Sequence, residues 1–201
     1  MSVVTRHLDL GCGTVPRNPT NALELYGLDL RGAKMSAHPR PPPGVWKWNV
    51  VREALPFPDN FFTSCSAYDF LEHVPRAWPN VDGVSVQFTF VDLMSEIYRV
   101  LRPGGLFLAA TPAIPKPETF VDPTHINFLT KKSHQYFCGA SPMARMYGFE
   151  GRFTAEMVEF GIPKFLNTPC PPSWSRRTKV FWRLIRGNPI PHLLWRLRAE
   201  K

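Results

Sequence analysis

The chain has 201 residues, 44% of them apolar and 20% charged, which suits one globular domain with a single core and excludes a disordered, charge-rich polymer. Its net charge of +8 is concentrated at one end: from Pro172 onward eight Lys or Arg stand against Glu200 alone, and the rest is close to neutral. That excludes the basic body of a nucleic-acid binder, and no run approaches the ~20 apolar residues of a membrane span.

Four cysteines, at 12, 65, 138 and 170, contain no CxxC pair, so free thiols in a reducing compartment and no metal site are expected. The opening MSVVTRHLDLGCG lacks the apolar core of a signal peptide, which predicts a cytoplasmic protein. Prolines number 22, about twice average usage, and fall in small groups between apolar segments, as in stiff loops joining elements.

In chain order, Val3 to Leu10 reads as a first strand, Tyr26 to Leu30 as a second and Val45 to Val50 as a third. Phe62 to Tyr68 and Leu106 to Ala110 are the fourth and fifth. Between them Phe90, Leu93, Met94, Ile97, Tyr98 and Leu101 form one apolar helical stripe, stopped by Arg102-Pro103-Gly104-Gly105. Leu129 to Phe137 reads as a short helix capped by Thr130 and ended by Gly139. Phe153 to Phe160 and His192 to Lys201 alternate as strands do. The expected fold is α/β: a Rossmann-like, mostly parallel seven-stranded sheet with helices on both faces and an antiparallel C-terminal edge pair. All of 1–201 is taken as one domain, with 113–147 as a substrate-side insert.

Gly11 and Gly13 follow the first strand, where a missing Cβ lets a ligand approach the backbone. Asp29 ends the second strand, placed to accept both hydroxyls of a ribose. A dinucleotide loop wants a third glycine where Pro16 stands, and no GK[ST] follows, so a ribose ligand without pyrophosphate is expected. Only about a dozen residues join the two strands, near the ~10–12 minimum of a crossover, so the first helix must be short or irregular.

LDLGCGT, YGLDL, LPFPDNFF, DFLEHV and EIYRVLRPGGLFLAATP, in this order over Leu8 to Pro112, resemble class I S-adenosylmethionine-dependent methyltransferases of the type 11 kind. The resemblance implies S-adenosylmethionine as cofactor. It implies that Asp9, Gly11, Cys12 and Gly13 form the loop at its methionine part, with Asp29 on the ribose and Asn49 near the adenine. Tyr68 and Asp69 would border the methionine end and the substrate. It also implies a small-molecule acceptor, with nucleic acid not expected. The alternative is a non-catalytic cofactor-binding or scaffold protein, motivated by Val15 and the short crossover.

Methyl transfer asks the protein mainly for orientation, with a base where the acceptor is a hydroxyl or a protonated amine. His73 and His125 are the candidate bases, and Asp122 stands three residues before His125, in position to orient it. Glu72 and Asp59 read as solvated or turn residues. Phe120, Phe128, Tyr136 and Phe137 are candidates for an apolar wall. The basic end interleaves Trp174, Trp182 and Trp195 with arginines, a pattern open both to contact with an anionic surface and to an edge strand, while Gly187-Asn188-Pro189 excludes a long amphipathic helix.

Overall fold

A computed structural model describes residues 4–34, 41–80 and 82–201; Val3 and part of the Pro39 to Pro43 group lie outside them. The strands are β1 (Arg6–Leu10), β2 (Glu24–Asp29), β3 (Ala33–Lys34), β4 (Gly44–Lys47), β5 (Phe62–Tyr68), β6 (Trp78–Pro79), β7 (Val86–Gln87), β8 (Leu101–Pro112), β9 (Phe153–Phe160) and β10 (His192–Ala199). The α-helices among the described residues are α1 (Thr89–Val100) and α2 (Ser173–Ile185).

Eight strands make one sheet in the order β3-β4-β2-β1-β5-β8-β10-β9, while β6 and β7 pair separately as a small ribbon. The first six of that order run parallel, and β10 lies antiparallel between β8 and β9. The sheet therefore has eight strands where seven were expected. The extra one is the two-residue β3, wholly exposed and short, as sheet edges commonly are. Strand order turns back on itself at β1, and the carboxyl ends of β1, β2 and β5 open there, the usual place for a ligand in such sheets.

One face of the sheet is a conventional core. Phe90, Leu93, Met94 and Ile97 of α1 are buried against Leu8, Leu10, Cys65, Ala67, Phe107 and Ala109, in one cluster. Each such side chain gains about 1.5–3 kcal/mol from leaving water, before the entropy of ordering it is subtracted.

Three expectations need correction. Residues 11–23 between β1 and β2 contain turns and no helix, since thirteen residues with two prolines, Pro16 and Pro19, cannot cross back and also wind. Leu129 to Phe137 is not an α-helix: Thr130 is drawn into a bridge with Ile114, and only Ser133–Phe137 winds, as a 3-10 turn anchored by buried Phe137. The segment before β10 is helical after all. Gly187 ends α2 but leaves room for thirteen residues ahead of it.

Candidate functional site

At the end of β1 the chain turns through Gly11 and Gly13, both with φ near +65°, a conformation that disfavours any side chain. A Cβ on Gly11 would lie 2.3 Å from the Phe70 ring, so that glycine is also required for close packing. The Gly13 amide donates to Asp29 Oδ2 at 2.8 Å, which ties the glycine loop to the end of β2. The Arg31 amide and Nε both donate to Asp29 Oδ1 at 2.9 Å, and Nη2 reaches Oδ2 at 3.4 Å. Burial pushes the Asp29 carboxyl up, but these bonds outweigh it and hold it below the ordinary carboxylate value. Cys12 packs over Gly27, and burial beside Asp9 and Asp29 pushes its thiol up to about 12, so it stays protonated and unreactive.

Below this loop runs a buried hydrogen-bonded chain. Thr20 Oγ1 and Ser64 Oγ are 2.8 Å apart, Ser64 meets His7 Nδ1 at 2.7 Å, and His7 Nε2 meets Ser66 Oγ at 2.8 Å. Ser66 donates to Asp9 Oδ1 at 2.6 Å, and the Arg17 amide donates to Oδ2 at 2.7 Å. One assignment satisfies every link. Because Ser66 gives its proton to Asp9, it must accept from His7 Nε2–H; Nδ1 is then the acceptor, served by Ser64, which in turn accepts from Thr20. Burial keeps His7 neutral by lowering it to about 3, and lifts Asp9 to about 6 against the pull of the Ser66 and Arg17 bonds.

Beyond β5 the chain passes Asp69, held at φ +49°, whose Oδ1 bonds His192 Nε2 at 2.8 Å. A single 3-10 turn, Leu71–His73, follows. Glu72 is fully buried, contrary to its reading as a solvated or turn residue. Thr111 at the end of β8 donates to Glu72 Oε2 at 2.8 Å, while Oε1 has no partner. Burial pushes the Glu72 carboxyl above its usual value. The Ile126 and Asn127 amides both bond the Glu72 carbonyl at 2.9 Å, which brings the loop carrying His125 down onto this turn. The His73 and His125 rings lie edge to face, with centroids 4.9 Å apart.

The two candidate bases thus come together, although 52 residues separate them in the chain. Asp122 does not orient His125. Its nearest oxygen is 4.0 Å from His125 Nε2, while Oδ1 accepts from the Thr124 amide at 2.8 Å and hydroxyl at 2.7 Å, because a short polar turn closes on its own backbone first. His125 Nδ1 is instead set by the Thr119 carbonyl at 2.9 Å.

Asp9, Gly11, Cys12, Gly13 and Asp29 lie around the ends of the first two strands, with Asp69 across the loop after β5. Tyr68 turns the other way: it is buried on the face opposite α1, with the Arg17 guanidinium 4.5 Å over its ring. Asn49 closes a local turn, its Oδ1 accepting from the Val51 amide at 3.2 Å. Asp59 is exposed and paired with Arg99, as a surface residue should be. Of the aromatic candidates, Phe137 is core, Phe120 and Phe128 meet with tilted rings in the loop after β8, and Tyr136 borders a separate apolar cavity of about 540 Å³ with Phe88, Phe90, Leu129 and Tyr147. That cavity touches none of the acids or histidines of the strand ends. Glu72, Thr111 and His192 are the residues that sequence reasoning missed; an acid directly before a candidate base was the available signal for Glu72.

The sequence profile of the methyltransferase domain family matches residues 8–109. No curated protein matches the chain. Among solved structures, a chain from the "Complex between the Haloferax volcanii Trm112 methyltransferase activator and the putative methyltransferase" superposes with a TM-score of 0.56 at 14% identity, covering 98% of this chain and 84% of that one. An S-adenosylmethionine-dependent methyltransferase from Archaeoglobus fulgidus gives 0.51 at 14% identity, with 98% and 86% covered. The (4+2)-cyclase SpnF gives 0.50 at 16% identity, with 98% and 75% covered. At such identities the structures speak for the fold alone.

Proposed function

Since the chain belongs to the methyltransferase domain family, we propose that it uses S-adenosylmethionine to transfer a methyl group to a small-molecule acceptor. The observation that carries this reading is the meeting of two groups at the strand ends: the Gly11–Gly13 loop with Asp29, and the Glu72, His73 and His125 cluster beyond Phe70. The residues fit the cofactor. Asp29 offers a carboxylate with two acceptor oxygens beside a bare glycine backbone, which is the acceptor pair a ribose diol requires. Arg31 covers that carboxylate, but its own side chain is 71% exposed and surface ion pairs contribute little, so a ribose displaces it at little cost.

In this reading Asp29 holds the ribose, Gly11, Cys12 and Gly13 line the methionine part, Asp9 braces that loop through the Arg17 amide, and Asn49 lies toward the adenine. Asp69 and Tyr68 bound the methionine end, Tyr68 only from behind the sheet. S-adenosylmethionine, when bound, supplies a methyl already activated by a sulfonium charge. The chain's task is then to align the acceptor, exclude water and take a proton where the acceptor carries one. His73 and His125 are placed to receive that proton at Nε2, because Nδ1 of each is already committed to an oxygen. The segment 113–147 supplies the acceptor side of the single domain.

Calorimetric titration tests this. Micromolar binding of S-adenosylmethionine and S-adenosylhomocysteine, absent for NAD and weakened at least tenfold by Asp29→Ala in a folded variant, is the expected result. No binding by the native chain would favour a scaffold protein that has lost its ligand.

We also propose that α2 rests on an anionic membrane surface. None of its residues is buried. Trp174, Phe181 and Ile185 follow one another at i, i+7 and i+11 along one stripe and are 71%, 58% and 59% exposed. Arg177 flanks them, Lys179 and Arg183 lie on the other side of the helix, and α2 contains no acid. A cleft of about 490 Å³ on that other side is lined by Lys179, Arg183 and Arg186 with Ile162, Trp182 and Asn188. An apolar stripe with cations on the opposite face, on a helix of low overall hydrophobicity, is the pattern of helices that lie in the bilayer interface. The native chain should float with vesicles of equimolar phosphatidylglycerol and phosphatidylcholine, not with phosphatidylcholine alone, and Phe181→Asp with Ile185→Asp should abolish this. Absence of flotation, or a concentration-dependent dimer removed by the same pair, would overturn the membrane reading.

A further inference from the structure

We propose that Glu72, His73 and His125 together bind one divalent cation of the late first transition row, of which zinc is the type. The inference rests on the reading of this cluster as the acceptor's end of the site, and it alters how the cluster acts: an ion, in place of a free imidazole, would meet the acceptor's oxygen or nitrogen.

A nitrogen from each ring and a carboxylate oxygen lie within 4.8 Å of one another. Ligands on a tetrahedral ion with bonds of ~2.1 Å stand roughly 3.4 Å apart, so side-chain adjustments of about an ångström close the set. Two further observations point to a ligand there. Glu72 has no exposed surface, and its Oε1 has no hydrogen-bond partner, a buried lone pair that normally costs about 1–3 kcal/mol unless something meets it. Its other oxygen is fixed by Thr111, so the carboxylate cannot turn away without giving up that bond.

The second observation is the state of the rings. Thr124 gives its hydroxyl proton to Asp122, so the Thr124 oxygen 3.0 Å from His73 Nδ1 must accept, and the Thr124 carbonyl at 3.3 Å can only accept. His125 Nδ1 faces the Thr119 carbonyl, again an acceptor. Where each ring carries a single hydrogen, Nδ1 therefore holds it and Nε2 keeps the lone pair. Ligand histidines are held in this way, with the far nitrogen donating to an oxygen that fixes tautomer and ring orientation.

Two imidazoles and one carboxylate suit zinc and its neighbours in the row far better than magnesium or calcium, which prefer oxygen throughout. Three protein ligands leave a position open, where an acceptor heteroatom would be polarised and its proton made easier to lose. Asp122 Oδ2, 4.0 Å from His125 Nε2, adds negative charge at the rim.

The full-length chain, stripped with a chelator, is dialysed against zinc and counted by elemental analysis, with magnesium as control. About one zinc per chain is expected, and His73→Asn or His125→Asn should weaken it roughly 10–100-fold or more, while His134→Gln, outside the cluster, should not. Because a variant can fail to fold, the native chain labelled with nitrogen-15 provides an independent readout: zinc should shift the imidazole nitrogens of two of the six histidines. Sub-stoichiometric zinc, unchanged binding in both folded variants, or no imidazole shift would overturn the site. S-adenosylmethionine titration of the metal-free chain separates the two readings: cofactor binding without zinc binding defeats only the metal site, and zinc binding without cofactor binding defeats only the methyltransferase reading.

Discussion

The two faces of the sheet are built on opposite terms. On one, α1 lays four apolar side chains onto Leu8, Cys65, Ala67 and Phe107, and the α1-side hydrophobic cluster runs on through the strands. On the other, β1 and β5 point His7, Asp9, Ser64 and Ser66 into the interior, where turns of the β1–β2 connection cover them, and further along α2 lies with its apolar stripe facing outward. The first face gains its stability from area removed from water. The second is apolar around Tyr68, Leu108, Leu166 and Leu194, but under β1 and β5 it depends on every polar partner being present, so there it is sensitive to proton number where the first is not.

That contrast can be broken from either side. Phe107→Ala, on the apolar face, should have the largest effect, about 3–5 kcal/mol of lost stability in urea unfolding, through lost burial and a residual cavity. A cost under 1 kcal/mol would mean that this face is loosely packed.

Next comes the pH dependence of the polar face. Asp9, raised to about 6, holds a proton in the folded state between pH ~4 and ~6 that the unfolded chain has released, so its contribution to stability falls as pH rises through that window. His7, lowered to about 3, is protonated in the unfolded chain below ~6.5 but not in the folded one, so its contribution falls as pH drops from ~6.5 toward ~3. Between pH ~4 and ~6 the two slopes cancel. Asp9→Asn should leave the His7 slope unopposed, so that this variant loses about 3 kcal/mol more than the native chain on going from pH ~6 to ~4. Parallel unfolding curves for the two proteins would show that Asp9 is not coupled to folding in this way.

The smallest effect sharpens the comparison at its outer edge. Phe181→Ser should change stability by no more than about 0.5 kcal/mol, since the ring is mostly in solvent. A loss of 2 kcal/mol would mean that α2 folds onto the sheet as a structural element, leaving no face for a membrane.

The sequence by itself determined the parallel strands, the α1 stripe, the antiparallel end and the glycine–aspartate arrangement of Gly11, Gly13 and Asp29. These are local signals, carried by residue spacing and by turn chemistry within a few positions, and neighbouring strands inherit them directly. Helix α2 was hidden for a local reason as well: its stripe faces solvent, and its cations gave the look of an alternating basic tail. What only the tertiary structure decided are contacts across long chain separations. Whether Glu72 is solvated depends on Thr111 and on the loop that returns at Ile126 and Asn127. His7 reads as a strand residue until Ser64 and Ser66 arrive on the neighbouring strand with partners for both ring nitrogens. His73 and His125 become a pair, and Asp122 is diverted from it, because hydrogen bonds satisfied within a short turn form ahead of longer-range ones, and no spacing rule records which partner the fold will supply.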